Sequence, residues 1–186
     1  MTRTETTMKH FATALLCLAL WPAAALATAQ YPDRLRIDGT EQNLFAQPIS
    51  QLFEQDPALE KRLARYKTMG CTAAWLGFLG TWEIRADRLY LVRLVANPCD
   101  DTPADIPLSR VVRSADSSFF GRLFAADNHE PVFADWFSGE LRVPQGEQIE
   151  YIHMGFQSRY ERYLVIRIER GVVVERRVEE GEKKAP

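Results

Sequence analysis

The feature that most limits the fold is a period of two. In "YLVIRIERGVVVERR", Leu164, Ile166 and Ile168 before a turn and Val172 and Val174 after it recur at every second position, and "RLYLVRLVA" is a comparable apolar run. Only an extended strand with one buried face puts every second residue on the same side. Similar runs occur in "RLRIDGTEQNLFA", "TAAWLGFLGTWEI" and "GELRVPQGEQIEYIH". They are separated by short polar segments such as Asp38-Gly39 and "RADR". About seven strands alternating with short turns predict a mostly β fold, an antiparallel sandwich or partly closed barrel.

The pattern also predicts registers. The strands on either side of "RADR" pair around Trp82 and Leu91. Pro144-Gln145-Gly146 suits a three-residue hairpin loop, with proline opening a type I turn and glycine in the left-handed position. That loop pairs Leu141 with Ile149 and Gly139 with Tyr151, and puts Leu141, Val143, Ile149 and Tyr151 on one core face. A like loop at Glu169-Arg170-Gly171 pairs Ile168 with Val172 and Ile166 with Val174. Trp75, Trp82, Phe133, Trp136 and Phe137 are core candidates.

One segment breaks the period. "PISQLFEQDPALEKRLARYK" places Ile49, Leu52 and Phe53 at helical spacing, with Pro48 in a first turn. Pro57 ends that helix and starts a second, carrying Leu59 and Leu63. One or two short helices are therefore expected near the N-terminus. "SRVVRSADSSFFGRLFAADNHEP" has no clean period and reads as mixed, with a short helix near Phe119–Phe124.

Residues 1–29 read as a cleaved signal peptide. Lys9 gives a basic start, Phe11 to Trp21 an apolar run, and Ala27-Thr28-Ala29 an A-x-A cleavage pattern before Gln30. The segment from Met1 to Thr7 adds nothing a signal needs, so Met8 is a second candidate start. Cys17 lies inside the apolar run, a poor place for a lipidated cysteine. Residues 30–178 then form a single β-rich domain and 179–186 a charged flexible tail. The expected address is extracytoplasmic, periplasmic or secreted, with no membrane anchor after cleavage. Removing residues 1–29 takes Arg3, Lys9 and Glu5, leaving 23 − 2 = 21 basic against 25 − 1 = 24 acidic side chains. A weakly negative chain with no basic cluster points away from nucleic acid.

Export gives the cysteines a meaning. Cys71 and Cys99 flank the "RADR" hairpin, and an even pair in an oxidising compartment predicts a disulfide. The other reading is a pair of buried thiols.

Chemical motifs are sparse. There is no G-x-S-x-G, H-E-x-x-H, Walker loop or dinucleotide fingerprint. His129 and His153 are the only histidines after residue 29, too few for a three-histidine metal site, and no cofactor is implied. The densest stretch is "YIHMGFQSRYE", Tyr151 to Glu161. His153 continues the face of Ile149 and Tyr151 and lies across from Phe137, most simply as a partly buried structural histidine. As an alternative it serves as a general base near Ser138, with Asp135 or Glu161 as carboxylate. Arg159 and Glu161 read as a corner ion pair or as solvated charges, and Gly155 as the point where the chain turns.

"GTWEIRADRLYLVRL", "VFADWFSGELRVPQGEQIEYIHMGFQSRYE" and "IERGVVVE" together resemble a family of uncharacterised bacterial proteins, many of them exported. The resemblance implies a strand-rich exported protein and carries no activity, cofactor or site residue with it. The leading expectation is a non-enzymatic module that binds a protein, peptide or envelope component. The alternatives are a small hydrolase or transferase using His153, and a carrier of an apolar ligand inside the sheet.

Overall fold

The computed structural model describes residues 29–68, 70–111 and 130–181. The region near Phe119–Phe124, and His129, lie outside them. The chain is mostly β, a mixed sheet of nine strands in the order β2-β1-β3-β4-β9-β8-β7, with β5 and β6 also paired to β4. The strands are β1 (Asp33–Ile37), β2 (Thr40–Leu44), β3 (Phe78–Arg85), β4 (Arg88–Ala96), β5 (Ala104–Ile106), β6 (Val132–Phe133), β7 (Gly139–Glu150), β8 (Arg159–Glu169) and β9 (Val172–Glu180). β9 therefore runs two residues into the segment read as a tail.

The expected antiparallel pairing holds except between β1 and β3, which run parallel with Leu35 opposite Trp82. Parallel neighbours need a crossover. It is supplied by the two expected helices, α1 (Pro48–Gln55) and α2 (Pro57–Leu63). Each begins with proline, whose missing N–H costs nothing in a first turn. Asp56 caps α2 by accepting from Leu59 N at 2.9 Å. The helices bury Ile49, Leu52, Phe53, Leu59 and Leu63 against the sheet.

The β3–β4 hairpin pairs Trp82 with Leu91 as the pattern predicts, with one bulge between Thr81 and Trp82. Its two-residue turn holds Ala86 and Asp87 at φ +46° and +55°. Asp38-Gly39 and Arg170-Gly171 turn the same way, at +50°/+78° and +45°/+78°. Two left-handed residues in succession match the twist of the strands they join.

The second half of the sheet corrects two expected registers. Pro144-Gln145-Gly146 is no hairpin loop. β7 continues through it and pairs with β8, placing Leu141 opposite Ile166, Val143 opposite Leu164 and Gly139 opposite Ile168. The irregularity after Gln145 is a bulge with Gly146 at φ +76°. Proline is tolerated because β7 is an edge strand. The β8–β9 turn is Arg170-Gly171, so Ile168 faces Val173 and not Val172. Val172 and Val174 are exposed as a result. This turn is tied down from two sides: Gly171 N donates to Phe137 O at 2.9 Å, and Leu89 N donates to Gly171 O at 2.8 Å. A Cβ on Gly171 would lie 2.7 Å from Ala134 O, so glycine is needed there for space as well as for φ.

β4 and β9 share only the Arg88–Val172 pair, so the two halves of the sheet bend apart from a single-pair junction. Its edges β2 and β7 approach through one backbone hydrogen bond, Phe45 N to Arg142 O at 2.7 Å, and the sheet is not closed into a barrel. Trp82, Leu89, Leu91, Trp136, Phe137, Leu141, Ile166 and Ile168 fill the interior. Trp82 meets Trp136 edge-on at 6.4 Å.

Candidate functional site

The four side chains of the catalytic alternative do not meet. His153 is exposed in the connection between β7 and β8, edge-on to the Tyr151 ring at 4.5 Å. Ser138 lies just before the other end of β7, whose 12 residues span about 35 Å. Its Oγ accepts from Arg170 N at 2.9 Å. Asp135 is exposed in the turn before it, lining a shallow depression with Arg88, Glu169 and Arg170. Glu161 accepts from Glu147 N at 3.0 Å and so braces the β7 bulge. Arg159 pairs with Glu150 at 3.1 Å across β7 and β8, not with Glu161. His153 therefore does not face Phe137, and Tyr151 is not a core residue but 54% exposed. Both corrections follow from the lost hairpin: without a reversal at Gly146, residues 151–158 become the reversal.

Cys71 and Cys99 are disulfide-bonded, with Cα atoms 6.4 Å apart. The bond closes the base of the β3–β4 hairpin. Beside it, the Asn97 side chain donates to Tyr66 O at 3.0 Å and accepts from Thr68 N at 2.8 Å. The crossover from the helices into β3 is thus clamped twice.

Asp33 is the one buried carboxylate among the described residues. Its Oδ1 accepts from Gly80 N at 3.1 Å and its Oδ2 from Trp82 Nε1 at 2.8 Å. Burial pushes its pKa up to about 7, against the pull of those two donors. At the opposite extreme, the Arg85 guanidinium holds the Glu83 carboxyl below its usual range through a hydrogen bond at 2.6 Å.

The segment Tyr151–Ser158 connects β7 to β8 and is held by contacts at the ends of both strands. Ser158 Oγ accepts from Ile152 N at 3.1 Å, and Tyr163 OH donates to Ser158 O at 3.2 Å. Phe156 stacks on Phe45 at 5.4 Å, and the Arg142 guanidinium lies 4.0 Å over the Tyr163 ring. These contacts leave an open depression of about 500 Å³ between Arg142, Phe156, Arg159 and Glu179.

The start of the described chain joins this segment to the turn before β3. Ala29 bridges to Gly155, and Gln30 N donates to Gly155 O at 3.1 Å. Gln30 Nε2 donates to Thr72 O at 2.6 Å, while its Oε1 accepts from Trp75 N at 3.3 Å. Tyr31 N donates to Ala73 O at 2.7 Å. One glutamine thus ties together the three segments that carry Tyr31, Trp75, and Tyr151 with Met154. All are large apolar side chains, and all are about half exposed or more, with Trp75 at 80%. Trp75 is therefore not core. It sits at the end of the 3-10 turn Thr72–Ala74, before the strand begins. A signal existed: Trp75 and Trp82 are seven apart, an odd spacing that a regular strand puts on opposite faces.

No protein-family model matches the chain, and comparison with curated proteins and with solved structures likewise finds no match.

Proposed function

We propose that this protein is an exported, non-enzymatic interaction module of the cell envelope, and that the surface around Gln30 is where it binds. One observation carries the reading: Trp75 stands 80% exposed on a turn that the Gln30 side chain and backbone tie to the segments carrying the half-exposed Tyr31, Tyr151 and Met154. A rigid, solvated aromatic cluster is costly for a domain to keep unless something covers it. The Cys71–Cys99 disulfide fits an oxidising compartment, and no helix among the described residues is long and apolar enough to cross a membrane. The leader pattern of residues 1–29 supplies the route. The dispersal of His153, Ser138, Asp135 and Glu161 weighs against the hydrolase alternative. The packed tryptophans and leucines of the interior weigh against the apolar carrier.

The test is sedimentation of the purified protein with envelopes isolated from cells that lack it. The protein co-sediments, and Trp75→Ser releases it while leaving thermal stability unchanged. Wild-type protein that stays in the supernatant overturns the proposal.

A further inference from the structure

Resting on that reading, we infer that the partner covering the Gln30 surface is the lipid bilayer itself, contacted at the level of its headgroups. Two observations select it. The first is where the chain leaves the fold. Ala29, which bridges to Gly155, follows the apolar run Phe11–Trp21 by eight residues. A link of that length keeps this end of the fold within about 30 Å of any membrane that holds the leader. The second is chemistry. The segments forming the face, 29–31, 72–75 and 151–158, contain no aspartate, glutamate, lysine or arginine, in a chain with 25 acidic and 23 basic side chains. Trp and Tyr with an apolar body and a polar tip are the side chains that settle at headgroup depth. Segments whose side chains carry no acid or base suit a zwitterionic surface, and the one charge that cleavage adds there is the α-ammonium of Gln30. After cleavage the contact remains as weak, reversible adsorption, since a few shallow side chains bury far less area than a spanning helix.

The probe is Trp75. Of the four tryptophans, Trp21 precedes the cleavage pattern, and Trp82 and Trp136 are 0% and 6% exposed. Protein purified after export, its N-terminus read by mass spectrometry, is titrated with phosphatidylcholine vesicles carrying brominated acyl chains. Part of the tryptophan emission is quenched, and a tenfold rise in salt does not reverse it. Tyr151→Ser with Met154→Ser weakens the partition about tenfold, ~1.4 kcal/mol, with Trp75 still reporting. Trp75→Ser removes the quenchable fraction and lowers vesicle co-sedimentation by a similar factor. Absence of quenching at any lipid concentration overturns the inference, as does vesicle binding that survives these variants, which would belong to a retained leader. Binding to isolated envelopes without binding to lipid vesicles also overturns it. That last result assigns the surface to a protein or glycan and leaves the interaction module standing.

Discussion

The halves of the sheet on either side of the bend are written in the same alternating code, yet they behave differently. In the first half, β3 and β4 are joined by two residues, and the strand nearest in sequence is also the partner, Trp82 against Leu91. In the second half, Pro144-Gln145-Gly146 has the chemistry of a turn and is bypassed by a strand that runs on to Glu150. The difference lies in β8. Tyr163, Val165, Ile166 and Ile168 bury both of its faces. β7 pairs with β8 from Arg159 to Ile168, a length that a strand confined to residues 147–151 could not match. A local turn preference yields when the alternative exposes the most apolar strand.

The largest effect should come from the first half. Trp82→Ala removes a fully buried indole and leaves Asp33 Oδ2 without its donor. We expect a loss of about 4–5 kcal/mol, read by chemical denaturation. A cost under about 2 kcal/mol would mean that β3 does not carry the core. The second half is tested by Leu141→Ala against Ile149→Ala. Leu141 is fully buried opposite Ile166, whereas Ile149 is 38% exposed. The first should cost about 3 kcal/mol and the second well under about 1 kcal/mol. Equal costs would restore the hairpin register.

Replacing Cys71 and Cys99 together by serine opens a loop of 28 residues. The chain-entropy model gives a loss of about 3 kcal/mol, measured under non-reducing conditions. Reduction of the wild type should reproduce the loss, and an unaffected midpoint would place the bond outside the folding unit.

Much of the first half was legible in the sequence because its signals are local. The turn Asp38-Gly39, the prolines that open α1 and α2 and the hairpin at "RADR" each depend on neighbouring residues, and the cysteine pair follows from that hairpin together with the export pattern. What was hidden depends on competition at a distance. Nothing within residues 139–151 says that β8 outbids Ile149 for Leu141. The parallel β1–β3 pair is likewise a consequence of where the helices carry the chain. The candidate site is legible only as a dense stretch, Tyr151–Glu161: its solvent face depends on the lost hairpin, and its link to Trp75 runs through Gln30.

Asp33 separates the halves by pH. Its folded pKa of about 7 exceeds the unfolded value near 3.8, so the native state holds the proton more tightly. The stability this group contributes is full below pH ~4 and is lost as pH rises through ~7. Asp33→Asn should remove that slope, seen as a wild-type-minus-variant difference that shrinks between pH 4 and 7. The variant should still cost about 1–2 kcal/mol at low pH, because Gly80 N and Trp82 Nε1 each donate to a different oxygen and an amide offers only one acceptor. A pH-independent difference would show that Asp33 does not titrate in the fold.

The smallest effects belong to the loop. Tyr151→Ala removes a ring that is 54% exposed and whose one ring partner is the exposed His153. Half-exposed surface returns little on burial, and neither residue holds the segment in place. Ser158, Tyr163, Phe156 and Phe45 do that. Tyr151→Ala and His153→Gln should each change stability by less than about 0.5 kcal/mol, whereas Ser158→Ala, which removes the hydroxyl that accepts from Ile152 N, should cost about 1 kcal/mol. Thermal melts of the three variants decide it. A loss of about 3 kcal/mol for Tyr151→Ala would return that ring to the core, and with it the hairpin that the neighbouring strand displaced.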